Sequence, residues 1–135
     1  MTIRGFDHLA LTARDVERTF TFYRDVLGAQ VLYEDEWRAG RIPVVILQIG
    51  SNRINVHPAR APVEPHAALP TPGSVDLCFR WDAPLEDAVA LLGRHGVAVE
   101  EGPVPRPAAD GAWGSSIYFR DPDGNLIELL STEPA

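Results

Sequence analysis

Cysteine is nearly absent from this chain. Cys78 is the only one in 135 residues, so no intrachain disulfide can form. A lone thiol fits a reducing compartment, and the cytoplasm is the expected location. Long hydrophobic runs are missing as well. Nothing approaches the ~18 consecutive apolar residues of a membrane span, so no membrane partner is expected. The opening residues Met1-Thr2-Ile3-Arg4-Gly5-Phe6 lead straight into a strand pattern and lack the layout of a signal peptide. Positive charge is scarce too: 12 basic against 19 acidic side chains leave a formal charge of −7, with no basic patch. Nucleic acid binding rests on neutralising phosphates, so no nucleic-acid partner is expected. What remains is ordinary globular material. The 45% hydrophobic content is enough for a core, and the length suits one compact body or two small fused modules.

The chain repeats itself. Asp7-His8-Leu9-Ala10-Leu11 returns as Val75-Asp76-Leu77-Cys78-Phe79, at an offset of 68 residues between His8 and Asp76. The same offset carries Leu27-Gly28-Ala29 onto His95-Gly96-Val97. Ser51-Asn52-Arg53-Ile54-Asn55-Val56 resembles Gly124-Asn125-Leu126-Ile127-Glu128-Leu129, at a slightly larger offset of 73 residues, so a loop of the second copy is longer. A unit of this size cannot bury its apolar face alone, and two copies are expected to pack together with their matched polar residues converging.

In the first module, covering about residues 5–57, Asp7 to Thr12 alternates as a strand. Asp15 is the expected N-cap of a helix whose stripe is Val16, Phe20, Tyr23 and Leu27, with Gly28 as its stop. A strand is expected from Ala29 to Glu34, a polar turn over 35–41, then strands Val44 to Ile49 and Arg53 to His57. Residues 58–73 hold five prolines and read as a semi-rigid linker. The second module, about 74–131, begins with a strand from Val75 to Arg80. Asp82 is its expected helix cap, with Pro84 in the first turn, a stripe of Leu85, Val89 and Leu92, and a stop at Gly96. A strand over Val97 to Glu100, a long loop over 101–114, and strands Ser116 to Phe119 and Asn125 to Leu130 complete it. Each module thus reads βαβββ.

Strand alternation assigns faces. His8 shares a face with Ala10 and Thr12, Asn55 with Arg53 and His57, Asp76 with Cys78 and Arg80, and Glu128 with Leu126 and Leu130. These polar groups lie opposite the residues suited to cover a helix. An unpaired acid inside a sheet is costly, so Asp76 needs a metal, a cation such as Arg80 or Arg53, or water.

Phe6-Asp7-His8-Leu9, Phe22-Tyr23-Arg24-Asp25-Val26-Leu27-Gly28, and Tyr118-Phe119-Arg120-Asp121-Pro122-Asp123-Gly124-Asn125-Leu126-Ile127-Glu128-Leu129 resemble the vicinal oxygen chelate superfamily. That superfamily includes glyoxalase I, bleomycin-resistance proteins, fosfomycin-resistance enzymes and extradiol dioxygenases. Arg53-Ile54-Asn55-Val56-His57, Glu64-Pro65, Pro72-Gly73-Ser74-Val75-Asp76-Leu77-Cys78 and Glu101-Gly102-Pro103-Val104-Pro105-Arg106 are similar to its branch containing glyoxalase domain-containing protein 5 and bacterial virulence-associated relatives.

The resemblance implies a single α+β domain over 1–135, in which two βαβββ modules pair into an open cupped β-sheet around a divalent metal. It carries the ligand positions onto His8, Asn55, Asp76 and Glu128. Asn55 stands where a glutamate is usual and Asp76 where a histidine is usual. Asn is a poor ligand for zinc or nickel, and His57, facing the same way, is the alternative to Asn55. The set His8, His57, Asp76 and Glu128 suits Zn²⁺, Ni²⁺, Fe²⁺, Mn²⁺ or Co²⁺. The implied activity is that of a lyase or isomerase, with Glu128 as general base, or of an extradiol-type dioxygenase using His8, His57 and Glu128. In either case the substrate is small and oxygenated. The rival implication is a metal-free protein that sequesters a small molecule or drug. A homodimer is expected, as relatives often dimerise, and module pairing within or between chains is left open.

Other residues have plainer readings. His66 is expected to be exposed in the linker, His95 to favour a helix C-terminus, and Cys78 to be a small core residue. Asp121-Pro122-Asp123-Gly124 reads as a turn rather than a calcium loop. The side taken by Tyr118 and Arg120 depends on hairpin register. Trp37 and Trp113 are expected on loops, at a substrate mouth or a dimer interface. Arg38, Arg41 and Arg106 are too scattered to define a glutathione site.

Overall fold

The computed structural model describes residues 2–135. The chain divides into two compact units, Met1–Gly73 and Ser74–Ala135. No helix of the described residues is long and apolar enough to cross a membrane.

The first unit contains β1 (His8–Ala13), α1 (Val16–Leu27), β2 (Gln30–Leu32), α2 (Glu34–Arg38), β3 (Val45–Ile49) and β4 (Asn52–Pro58). Its sheet has the order β1-β4-β3-β2, with β1 parallel to β4 and the other pairs antiparallel. Asp15 caps α1 through its side chain, which accepts from the Arg18 amide at 3.0 Å. Gly28 ends α1 at φ 72, a left-handed conformation that an L side chain resists. The helix covers one face of the sheet with Val16, Thr19, Phe20, Tyr23 and Val26. Val26 takes the place expected of Leu27, which is half-buried. The matching sheet face supplies Leu11, Ala13, Val45, Leu47, Ile54 and Val56, all buried.

Residues 35–41 are not simply a polar turn, because α2 occupies Glu34–Arg38. Glu34, Asp35 and Glu36 crowd its first turn, where the positive helix end favours acids. Arg38 closes back on Glu34 at 2.7 Å and on Glu17 of α1. Trp37 stands edge-on to Phe20, with ring centroids 5.6 Å apart, so it docks α2 on α1.

The second unit contains β5 (Asp76–Arg80), α3 (Leu85–Arg94), β6 (Glu101–Pro107), β7 (Trp113–Arg120) and β8 (Leu126–Ser131). Its sheet order, β5-β8-β7-β6, copies that of the first. The βαβββ pattern is therefore present twice, with α2 as an insertion in the first copy.

Three expectations fail here. The second strand of the second module is not Val97 to Glu100 but Glu101–Pro107, inside the expected loop. It carries Pro103, Pro105 and Pro107, which an inner strand would reject. As the sheet edge, β6 tolerates residues without an amide donor. A bulge between Glu101 and Val104 brings Gly102, at φ 106, so close to the Ser116 carbonyl that a Cβ would collide with it. Asp82 does not cap α3; Pro84 occupies the cap and offers no side-chain bond. The chain is held there instead by the Ser131 hydroxyl donating to the Ala83 carbonyl, and by Trp81 Nε1 donating to the Pro84 carbonyl at 3.2 Å. Finally, α3 buries Leu85, Ala88 and Leu92, while Val89 points outward.

Candidate functional site

Each unit presents a polar sheet face opposite its helix. In the second unit, parallel pairing sets Cys78 across from Glu128, and antiparallel pairing sets Tyr118 across from Glu128 on its other side. Glu128 is thus flanked by both neighbours on one face. The fully buried Ser116 hydroxyl donates to Glu128 Oε2 at 2.6 Å. Tyr118 and Cys78 face the same carboxylate from either side, near enough to feel its charge. Arg106 Nε donates to the Tyr118 hydroxyl at 2.9 Å, with the guanidinium 5.6 Å from the ring centre.

These contacts set the electrostatics. Partial burial, then the charges of Glu128 and Asp76, pushes the Cys78 thiol up to about 11. The Tyr118 phenol is likewise raised, chiefly by burial, with Arg106 opposing and Glu128 adding to the effect. Asp76 is exposed on the same face, two residues before Cys78.

In the first unit, His8 pairs with Arg53, Ala10 with Asn55, and Thr12 with His57, all on one face. His8 Nδ1 donates to Asp7 Oδ1 at 2.8 Å, which leaves Nε2 without a partner among the described residues. That arrangement is typical of imidazoles that bind metals. The His57 imidazole is held below its ordinary value, first by burial and then by His66 and His8. It therefore keeps a free lone pair at neutral pH. Asn55 is half-buried beside it on β4.

The four predicted donors fall in pairs: His8 and His57 share one unit's face, Asp76 and Glu128 the other's. Among the described residues of either unit, no three His, Cys, Asp or Glu side chains gather closely enough to hold a metal. The donor chemistry of each pair nevertheless suits one. His8 keeps Nε2 available, His57 is held neutral, and Ser116 engages only one of the two Glu128 oxygens.

Cys78 is exposed, not a core residue, because it lies on the polar face of an edge strand. His66 is exposed, as expected, and its ring is tied to the Ala67 carbonyl at 2.8 Å and to Glu64 at 3.2 Å. The Asp121 turn is a turn: Asp121 Oδ1 accepts from the amides of Asp123 and Asn125, and Oδ2 from the Asn125 side chain. Trp113 begins β7 and is exposed. Sequence reasoning missed Ser116, and left the side of Tyr118 open. The available signal was their even spacing along β7, which puts them on the Glu128 face once the register is known.

A family model described as the Glyoxalase/Bleomycin resistance protein/Dioxygenase superfamily matches residues 5–129, and the chain belongs to that superfamily. The chain is 43% identical over 130 residues to a virulence protein of Salmonella typhimurium, covering 96% of this chain and 85% of that one. The crystal structure of that Salmonella protein superposes with a TM-score of 0.86, covering 97% of this chain and 98% of the other at 41% identity. A glyoxalase domain-containing protein of Mycosarcoma maydis is 42% identical over 135 residues, covering 100% of this chain and 72% of that one. The fold is shared more widely. A mutant of the fosfomycin resistance protein FosX from Listeria monocytogenes, solved with Mn(II) and 1S,2S-dihydroxypropylphosphonic acid, gives a TM-score of 0.64 at 21% identity, covering 96% and 90% of the two chains.

Proposed function

We propose that this chain is a metal-dependent enzyme of the superfamily, acting on a small oxygenated substrate as a lyase or isomerase, or as an extradiol-type dioxygenase. The proposed donors for one divalent ion are His8, His57, Asp76 and Glu128, with Zn²⁺, Ni²⁺, Fe²⁺, Mn²⁺ or Co²⁺ as the suitable metals. The observation that carries this reading is the Asp7–His8 pair, in which Nδ1 donates to the carboxylate and Nε2 has no partner among the described residues. When bound, such an ion would polarise two vicinal substrate oxygens as a Lewis acid.

The rest of the chemistry belongs to the chain. Glu128 is the proposed general base, taking a substrate proton at Oε1 while Ser116 holds Oε2. His57, neutral at physiological pH, serves as a ligand without first losing a proton. Asn55 orients a neighbouring ligand in place of the usual glutamate. The proposed state is a cytoplasmic homodimer; sedimentation equilibrium showing only monomer at micromolar concentration would contradict the dimer.

Loading with Co²⁺ tests the metal set directly. The expected result is a visible ligand-field spectrum at one ion per chain, altered by His57→Ala and abolished by His8→Ala. An unchanged spectrum in His8→Ala would overturn the assignment. The second reading, a metal-free sequestering protein, is favoured by one observation: Asn55 and Asp76 both depart from the usual ligand types. It predicts no Co²⁺ spectrum and retained binding of small molecules.

A further inference from the structure

Residues 60–70 lie in the linker that follows β4, and among the described residues they make no backbone–backbone hydrogen bond. Side chains hold this stretch instead. The imidazole of His66 closes one turn of it, over Glu64-Pro65-His66-Ala67. Nδ1 lies 2.8 Å from the Ala67 carbonyl oxygen, and Nε2 lies 3.2 Å from Glu64 Oε1. The His66 side chain is 28% exposed and that of Glu64 84%, so the ring is the covered part of an otherwise open segment.

Both of these neighbours are acceptors. A carbonyl oxygen and a carboxylate offer lone pairs and have no proton to give. A neutral imidazole has one N–H, so it satisfies one of them and turns a lone pair on the other. Only the imidazolium, with two N–H groups, donates to both at once. The pairing of charge with Glu64 likewise exists only in that state. The turn is therefore complete in a single protonation state of a side chain type whose charge changes between about pH 5 and 8. The charged or titratable groups around His66 are Glu64 on its own segment, His57 on β4 and, past His57, His8 on β1. Glu64 favours the charged ring, and an imidazolium at either of the other two would oppose it.

We propose that His66 is a proton-operated clasp of the linker. Protonated, it closes the turn over 64–67 and stiffens the residues that follow. Neutral, it releases one of its two partners and loosens them. The linker is the segment that joins the two units, and its stiffness sets how far and how freely each can reach. Five prolines fix much of its backbone, so few points remain where that stiffness can change, and this turn is one. The clasp goes beyond the enzyme reading and needs no bound metal.

The test uses full-length protein with a chelator present, so that no metal ion competes for the imidazoles. The ¹H–¹⁵N heteronuclear NOE, which reports fast backbone motion, is measured at the amides of His66, Ala67, Ala68 and Leu69. The range is about pH 5.5 to about pH 7.5, and the His66 Cε1–H signal is followed in the same samples. The expected result is rigid amides in acid and mobile ones toward base, with a midpoint that matches the His66 ring. The ratio of closed to open turn should change by about two- to fivefold, the scale of one exposed ion pair. His66→Gln should remove the pH response, and Glu64→Gln should shrink it. His95→Gln, in the second unit, should respond as wild type. Circular dichroism and a thermal melt check that each variant folds. Amides no more rigid in acid than in base, a midpoint that follows another histidine, or an undiminished response in folded His66→Gln or Glu64→Gln would overturn the proposal.

Discussion

Glu128 shows how much one side chain owes to its neighbours. Ser116, Tyr118 and Cys78 all bear on its carboxylate, and each comes from a strand adjoining β8. The single thiol reports on that cluster. With Cys78 raised to about 11, iodoacetamide should alkylate it slowly at pH 8, and the rate should climb toward that value. Glu128→Gln removes a negative neighbour, so the midpoint should fall and the rate at pH 8 should rise. Burial is the larger cause, so the midpoint should stay above the ordinary 9.0. A wild-type midpoint at 9.0 would contradict the description of the cluster. His57 gives a second, opposite-signed signal. Its folded value lies below 6.5, so the unfolded chain binds its proton first. This contribution to stability is full above 6.5 and is lost as pH falls from there through the depressed folded value. His57→Gln should flatten that part of the urea-denaturation pH profile; an identical profile in both proteins would argue against the shift. At this scale the sequence was a good guide to faces, because strand alternation is strict. It could not reveal that Tyr118 and Cys78 flank Glu128, because hairpin and crossover geometry set the register.

Among the elements, those governed by local chemistry were the legible ones. Asp15 and Gly28 bound α1 because a cap oxygen and a left-handed glycine act within a few residues. The edge strand β6 was misread because its three prolines argue locally against a strand, and only its position at the sheet margin permits them. Asp82 failed as a cap for a related reason: contacts from Ser131, far along the chain, fix the entry to α3. Two substitutions test these elements. Gly102→Ala should cost about 2 kcal/mol or more, since it adds both a positive-φ strain and a collision with the Ser116 carbonyl. The clasp between β5 and the Asp121 turn runs through fully buried Asn125, which accepts from the Val75 amide at 2.9 Å and donates to Asp121 at 2.8 Å. Asn125→Ala removes the acceptor of the Val75 amide and one of the donors to Asp121, and should cost about 2–3 kcal/mol by urea denaturation. A loss below about 0.5 kcal/mol would mean that water replaces the amide without penalty.

For the whole molecule, the internal repeat was the decisive clue. It appears as two units with the same strand order and the same parallel-then-antiparallel pairing. The repeat is exact in topology but not in charge, since the first unit balances eight arginines against eight acids and the second carries the net negative charge. It also divides the proposed ligands, giving imidazoles to one unit and carboxylates to the other. The central claim is that a single divalent ion draws on both. Elemental analysis by inductively coupled plasma mass spectrometry tests this most directly, on untagged protein purified without chelator beside His8→Ala and Glu128→Ala. The account predicts near-stoichiometric metal in the wild type, lost from both variants although each lacks a donor from a different unit. Wild-type protein that carries no metal, and takes up none from Ni²⁺, Zn²⁺, Mn²⁺ or anaerobic Fe²⁺, would contradict it.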